Sequence, residues 1–331
     1  MSSEADWFEE LPTIRVSTGA RLHFGLFDVK APFGGAGMMI DHPHTTVSVS
    51  HSHSFEALPC RADRLVEIAK RIALRLPALL ISDGLPRCRV VVEAAADSHC
   101  GLGSGTQLAL ATAVAISRFF SLDLSRYELV HEIASRGRRS SIGSIGFFEG
   151  GLIAEDGQEQ SYEPCSAWRR ISLPAEWRIV LACPQSQRSG VSGVSGEVEG
   201  AAFAALAPAP PAYRANLARL CDQMLQSGEQ ADFDSFSSLM LQFNALSGDL
   251  FAAHQGGCYN GEDVLTLVRR LESLGGRGVG QSSWGPTVFA FCECEDEAQR
   301  ICGSLDGVGC RIVKPQASGY VLERSPSTSC K

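Results

Sequence analysis

Hydrophobic and polar positions alternate with a period of two over residues 45–52, where polar neighbours separate Val47 and Val49, which is the pattern of a half-buried strand. The spacing changes over residues 62–76. There Leu65, Ile68, Ala69, Ile72 and Leu76 recur at three and four residues, the period of a helix buried along one face, and Pro77 ends the run. Residues 87–95, rich in Val, predict another strand. Residues 108–120 are nearly all apolar or small, so that helix should be buried on most sides. Ser125 then caps a helix through Ser135, with Glu128 three positions on completing a capping box. A strand over residues 151–155 closes this part of the chain.

Beyond it the pattern becomes less regular. A strand is predicted over 178–183, a Ser/Gly-rich loop over 186–200 and an Ala/Pro-rich connector over 201–212. Helices follow near 213–226, 233–253 and 261–274, then a strand over 287–292, a helix over 295–305 and strands near 311–314 and 319–323. Strands and helices mixed in this order predict α+β layers rather than a doubly wound sheet, with a domain boundary near residue 170 that divides the chain into 1–170 and 171–331.

Composition narrows the class. The 331 residues are 44% hydrophobic and 20% charged with a formal net charge of −8, a globular balance that argues against binding to a nucleic-acid backbone. The acidic, polar start, from Met1 to Asp6, is unlike an export signal, and no apolar run reaches the roughly 18 residues of a membrane span. A soluble, cytoplasmic protein without membrane or nucleic-acid partners is expected. The 12 cysteines are then expected as reduced, semi-buried side chains. Cys292 and Cys294 form a C-x-C without a second pair at zinc spacing, and the H-x-H pairs His42/His44 and His51/His53 suit an exposed strand edge better than a metal site.

The densest chemical signal lies between a strand and a helix, in the turn Gly101, Leu102, Gly103, Ser104, Gly105, Thr106, Gln107. Glycines permit a tight turn with outward N–H groups, and the helix start adds partial positive charge, so a phosphate fits there. A tight connection without a ligand would need the same glycines. The turn lacks the Gly-Lys-Ser/Thr of a Walker A loop and the third glycine of a dinucleotide fingerprint. It resembles the Gly-Leu-Gly-Ser-Ser-Ala loop of the GHMP kinase superfamily of small-molecule kinases. Two more segments match that superfamily in order, residues 18–26 (Thr-Gly-Ala-Arg-Leu-His-Phe-Gly-Leu) and residues 278–287 (Gly-Val-Gly-Gln-Ser-Ser-Trp-Gly-Pro-Thr). The resemblance implies a GHMP-kinase-like two-domain α+β fold, with a ribosomal-protein-like amino-terminal domain, a ferredoxin-like carboxy-terminal domain and the site between them.

Details point to one branch. Arg-Leu-His-Phe-Gly-Leu at 21–26, Gly-Leu-Gly-Ser-Gly-Thr-Gln at 101–107 and Gly-Arg-Arg-Ser-Ser-Ile-Gly at 137–143 are similar to the β-ribofuranosylaminobenzene 5′-phosphate synthase family. That likeness implies transfer of phosphoribosyl from phosphoribosyl pyrophosphate to 4-aminobenzoate or 4-hydroxybenzoate, with release of CO2 and pyrophosphate, in tetrahydromethanopterin biosynthesis. Magnesium is expected with the pyrophosphate. In the kinases a glutamate holds magnesium and an aspartate eleven residues later stands by the acceptor. The matching positions here are Glu132, the expected metal ligand, and Gly143, which carries no acid. An ATP-dependent kinase and a non-catalytic ligand-binding homologue are the alternatives. Whether the chain forms a homodimer is not legible.

Arg138 and Arg139, with Ser140 and Ser141, are expected to contact phosphate or carboxylate, because the guanidinium fork donates two hydrogen bonds to either; offsetting a helix dipole is the plainer role. Arg21 and His23 share one face of a strand and are expected in the site. Gln281, Ser282 and Ser283 offer polar contacts, while Trp284 either stacks on an aromatic substrate or packs between domains.

Overall fold

The computed structural model describes residues 11–59, 63–157, 167–184 and 196–326. In chain order the first half holds β1 (Thr13–Leu26), β2 (Gly35–His51), β3 (Glu56–Leu58), helix α1 (Asp63–Ala73), the small hairpin of β4 (Ile81–Ser82) and β5 (Leu85–Pro86), β6 (Cys88–Ala94) and α2 (Ser104–Phe119). A π-helix (Glu128–Ile133), α3 (Ile142–Glu149), β7 (Leu152–Glu155) and β8 (Trp168–Ile171) follow. Next come β9 (Arg178–Cys183), α4 (Gly196–Ala205), α5 (Pro211–Glu229), α6 (Phe233–Asp249), α7 (Ala252–Gln255) and α8 (Glu262–Ser273). The chain finishes with β10 (Arg277–Gln281), β11 (Val288–Cys292), α9 (Glu295–Gly303), β12 (Gly309–Val313) and β13 (Val321–Ser325).

These strands form a seven-stranded sheet, ordered β13-β1-β2-β6-β3 with β7 and β8 attached through β2, and a four-stranded antiparallel sheet ordered β10-β11-β9-β12. Strand β2 serves two neighbours along its length: Gly35–Met38 pairs with β7, and Thr46–His51 pairs with β6. The final strand β13 crosses back to pair with β1, so residues after 170 contribute to the first sheet.

The helical stripe of α1 meets the alternating face of the first sheet: Leu65, Ile68 and Ile72 are buried with Val47, Val49 and Val90, and α2 completes that layer. Each such side chain contributes about 1.5–3 kcal/mol on burial. The opposite face of β1 carries Leu22 and Phe24, which share a core with Leu217 and Met224 of α5, Phe236 and Phe243 of α6, and Phe289 and Phe291 of β11. Helices α5 and α6 are therefore held between both sheets, and the two halves share one core. Helices α8 and α9 cover the outer face of the second sheet. No helix among the described residues is long and apolar enough to cross a membrane.

Several expectations change. The capping box forms, with the Ser125 N–H donating to Glu128 at 2.8 Å and the Glu128 N–H to Ser125 Oγ at 3.2 Å. Its helix, however, adopts π winding, with the Ala134 N–H reaching the Leu129 carbonyl at 2.9 Å, and stops at Ile133. The stop has a backbone cause, since Ser135 and Gly137 have φ of +54° and +79°, which no right-handed helix accepts. Helix α4 takes in the end of the Ser/Gly-rich loop and the start of the Ala/Pro-rich connector, and the rest of that loop, residues 186–195, lies outside the described residues. The motif at 278–287, where no strand was predicted before residue 287, starts within strand β10. Seven of the described cysteines are free thiols, but Cys302 and Cys310 form a disulfide between α9 and β12, against the expectation that all are reduced.

Candidate active site

The glycine-rich turn enters α2 through Gly103, which caps the helix in the left-handed region (φ +68°), and the N–H groups of Thr106 and Gln107 close the first turn on its carbonyl. Gly101 also has a left-handed φ of +77°, and a methyl group there would run into the Ser282 carbonyl. The turn is fastened from three sides. The Arg21 N–H donates to the Leu102 carbonyl at 3.0 Å, Ser282 Oγ donates to the Gly101 carbonyl at 2.7 Å, and Thr287 Oγ1 donates to the Cys100 carbonyl at 2.7 Å. Strand β1, the turn and the loop after β10 thus form one unit.

The turn is not a bare backbone cradle. A Cβ at Gly103 would lie 3.1 Å from Arg21 Nε, and one at Gly105 would lie 2.6 Å from an Arg64 Nη1, so two guanidinium groups cover the glycines. Beside them opens a cavity of about 530 Å³ that runs between the two sheets. Six arginines line it (Arg21, Arg64, Arg71, Arg136, Arg138 and Arg139), against Glu67 as the single acidic lining residue among those described. In a chain of net charge −8 this concentration favours a ligand with several negative charges.

Of the expected residues, Arg21, His23, Arg138, Arg139, Ser140, Thr106, Gln281, Ser283 and Trp284 line the cavity. His23 is buried, and its Nε2 lies 3.3 Å from Ser140 Oγ. Burial first, and then the nearby Arg21 charge, hold its pKa well below the ordinary histidine value, so the ring is neutral at neutral pH.

Others stand outside the cavity. Gln107 is wholly buried: it accepts from Thr18 Oγ1 at 3.2 Å and donates to the Gly143 carbonyl at 2.9 Å, so it ties β1, α2 and α3 together instead of meeting a ligand. Leu102 lies in the core. Gly101, Gly103, Ser104 and Gly105 shape the turn beneath the arginines. Ser282 is equally buried, accepting from the His23 N–H at 3.0 Å. Ser141 donates its N–H to both oxygens of buried Glu155 at 2.8 and 2.9 Å, which fixes the start of α3. Glu132 is a correction of another kind, because its half-exposed carboxylate is paired with Arg75 and does not line the cavity.

The second half supplies the opposite wall. Asn244 of α6 donates to the carbonyls of Phe24 and Gln281 at 2.6 and 2.9 Å and accepts from the Gln281 N–H at 2.9 Å. One turn on, Ser247 Oγ bonds both the N–H and the carbonyl of Leu26, at 2.7 and 2.9 Å. Asn244 thus sets β1 against β10, and Ser247 holds the end of β1 to α6. Trp284 then packs with Phe251 and Phe203, at centroid distances of 4.8 and 6.1 Å, while Arg139 lies 4.3 Å above the Phe203 ring.

Comparison with known proteins agrees with this geometry. The family described as GHMP kinases N terminal domain matches residues 63–148, and GHMP kinases C terminal matches residues 215–308. A protein named beta-ribofuranosylphenol 5'-phosphate synthase from Archaeoglobus fulgidus is 28% identical, over 94% of this chain and 99% of its own. Its namesake from Methanothermobacter thermautotrophicus is also 28% identical, over 84% and 88%. The chain belongs to the GHMP kinase superfamily, whose two family models together match more than half of it, and within that superfamily it is similar along most of its length to the β-ribofuranosylphenol 5′-phosphate synthases. Among solved structures, a homoserine kinase from Cytophaga hutchinsonii shares the fold at a TM-score of 0.67 and 15% identity, over 94% of this chain and 97% of that one.

Gly143, where the kinase pattern would put an acid, is packed closely. It lies in the first turn of α3, and a Cβ there would sit 3.5 Å from Arg21 Cδ. Thr106 Cγ2 would lie nearer still, at 3.4 Å, so a small side chain there would make ordinary contacts with both neighbours. Sequence reasoning missed Arg64 and Arg71, although their seven-residue spacing on α1 puts both on one helix face beside Ile68. It also missed Glu155, Asn244, Ser247, Phe203 and Phe251, which carry no local signal.

Proposed function

We propose that this protein joins phosphoribosyl pyrophosphate to 4-aminobenzoate or 4-hydroxybenzoate, with loss of CO2 and pyrophosphate. The observation that carries this reading is the cavity itself, lined by a wall of arginines and a wall of aromatic side chains, with Arg139 at their junction over Phe203. A donor bearing a 5′-phosphate and a pyrophosphate suits the first wall, and a flat aromatic acid suits the second.

The chemistry asks little of a protein base. The C1–oxygen bond to pyrophosphate breaks as carbon 1 of the ribose becomes cationic, and the ring carbon bearing the carboxylate forms the new carbon–carbon bond. The bond to the carboxylate then breaks, CO2 departs, and its electron pair restores aromaticity. Arg21, Arg64 and Arg138 are placed to offset charge gathering on the leaving pyrophosphate, the largest electrostatic demand of the step. Neutral His23, hydrogen-bonded to Ser140, orients that turn without adding charge.

Magnesium, expected with the leaving group, does not find a protein-built site among the described residues. No three His, Cys, Asp or Glu side chains gather there, Glu67 is bonded to Lys70 at 2.8 Å, and Glu132 is bound to Arg75. Purified protein given phosphoribosyl pyrophosphate, magnesium and carboxyl-labelled 4-aminobenzoate or 4-hydroxybenzoate should release labelled CO2 together with pyrophosphate. Silence with both acids would reject the reading.

A further inference from the structure

Three rings, Phe203 of α4, Phe251 just before α7 and Trp284 after β10, meet with centroids 4.8 to 6.1 Å apart and planes at 67° to 77°. In an edge-to-face contact the edge of one ring meets one face of the other, which leaves the opposite face for a further flat apolar group. All three line the cavity. At one end of the cluster stands a cation, since the Arg139 guanidinium lies 4.3 Å above Phe203.

At the other end stands an acceptor. Gln255 is one helical turn from Phe251, its N–H donating to the Phe251 carbonyl at 3.1 Å. Its side-chain nitrogen donates to the carbonyls of Gly248 and Cys258 at 3.0 and 3.1 Å, and two carbonyl partners settle which amide atom is the nitrogen. Oε1 accepts from no described residue, and Gln255 lines the cavity. The wall thus presents, in contact order, a cation, aromatic faces and a hydrogen-bond acceptor. A benzoate with a para donor presents the complement: a carboxylate, a ring and an N–H or O–H.

We infer that this wall is the acceptor subsite, where the ring lies against Phe251 and Trp284, the carboxylate faces Arg139, and the para amino or hydroxyl group donates to Gln255 Oε1. The inference rests on the proposed transfer and adds where the aromatic acid lies and how it is read. An amide oxygen accepts from either donor, so the subsite takes both the amino and the hydroxy acid and rejects a para substituent with no hydrogen to give.

The test begins with wild-type protein, phosphoribosyl pyrophosphate and 4-aminobenzoate; failure to release CO2 there strikes the proposed reaction and not the subsite. With that reaction in hand, Phe251→Leu and Trp284→Leu should each raise KM for 4-aminobenzoate about tenfold, the scale of one ring–ring contact, while KM for phosphoribosyl pyrophosphate stays within about twofold. Trp284→Phe, which keeps a ring, should restore KM to within about threefold of wild type. Folded leucine variants with an unchanged acceptor KM would overturn the assignment. Should they fail to fold, the quenching of tryptophan fluorescence by 4-aminobenzoate decides: it should be lost in Trp284→Phe, and its full retention would reject the subsite. As an inhibitor, 4-methoxybenzoate should bind wild type about tenfold more weakly than 4-hydroxybenzoate, and Gln255→Leu should remove that difference. Persistence of the gap in that variant would rule out Gln255 as the reader.

Discussion

The two walls of the cavity follow different physical rules. The arginine wall rises from β1, α1 and the turn before α3, all in the first half of the chain, whereas the aromatic wall comes mainly from α4, α7 and the loop after β10. Arginines in an acidic chain are conspicuous because solvation keeps charge on the surface unless an anion is to be met. Phenylalanine and tryptophan carry no such mark, since the same residues fill the cores: Phe243 and Phe289 are as aromatic as Phe251 and lie fully buried. A charged site can be suspected from composition. An aromatic one is recognised only once some rings are found lining a space.

The comparison predicts effects that separate by substrate. The largest is on the arginine wall: Arg21→Ala should lower kcat/KM for phosphoribosyl pyrophosphate by about 2–4 kcal/mol and leave the acceptor KM nearly unchanged, as steady-state kinetics with each substrate varied would show. Equal losses for both substrates would erase the division between the walls. Next comes Gly103→Val, which puts a side chain in a left-handed conformation at a cost of about 1–2 kcal/mol and drives it against Arg21. It should weaken the pyrophosphate substrate with little change in circular dichroism, and wild-type affinity would reduce the turn to a connector.

A smaller effect concerns His23, which joins β1 to the turn at Ser140. Its folded pKa is depressed, so the unfolded chain takes up its proton first as pH falls through about 6.5. Stability attributable to neutral His23 is therefore whole above that pH and declines below it, with a slope no steeper than about 1.4 kcal/mol per pH unit. Urea midpoints across this range should flatten in His23→Gln, and an unchanged slope would move the effect to another group. The smallest effect is expected at Glu132. Its pair with Arg75 is solvent-facing, so Glu132→Gln should change stability by less than about 1 kcal/mol and leave the magnesium dependence of the wild-type reaction as it was. A marked shift in that dependence would return Glu132 to the site.

Local rules account for what could be read in advance. The period of α1, the apolar run of α2 and the alternation of β2 follow from burial on one face or on all sides, and each is a property of neighbours in the chain. The turn at 101–107 was legible because left-handed backbone at Gly101 and Gly103 demands glycine. The roles of individual residues in that turn were not legible, and Gln107 shows why. A glutamine beside a phosphate loop reads as a ligand contact, yet its partners are Thr18, 89 residues earlier, and Gly143, 36 residues later. Ser282 likewise looked available to a substrate and instead fastens the turn to β1 from 181 residues away.

The amino-acid sequence by itself determined most helices, though not α3 or α4, and most strands, the phosphate-type turn, the synthase-family likeness and the presence of cations in search of an anion, because periodicity, glycine geometry and charge act over short stretches of chain. The tertiary structure alone decided which of those cations face one space, that Arg21 and Arg64 overlie the glycines, that Glu132 turns to Arg75, and that Phe203, Phe251 and Trp284 line the same cavity with Arg139 over Phe203. The reason is physical: a cavity is made by elements that meet across the shared core, where Asn244 aligns β1 with β10 and Ser247 holds β1 to α6, and no local rule reports which distant side chains will meet.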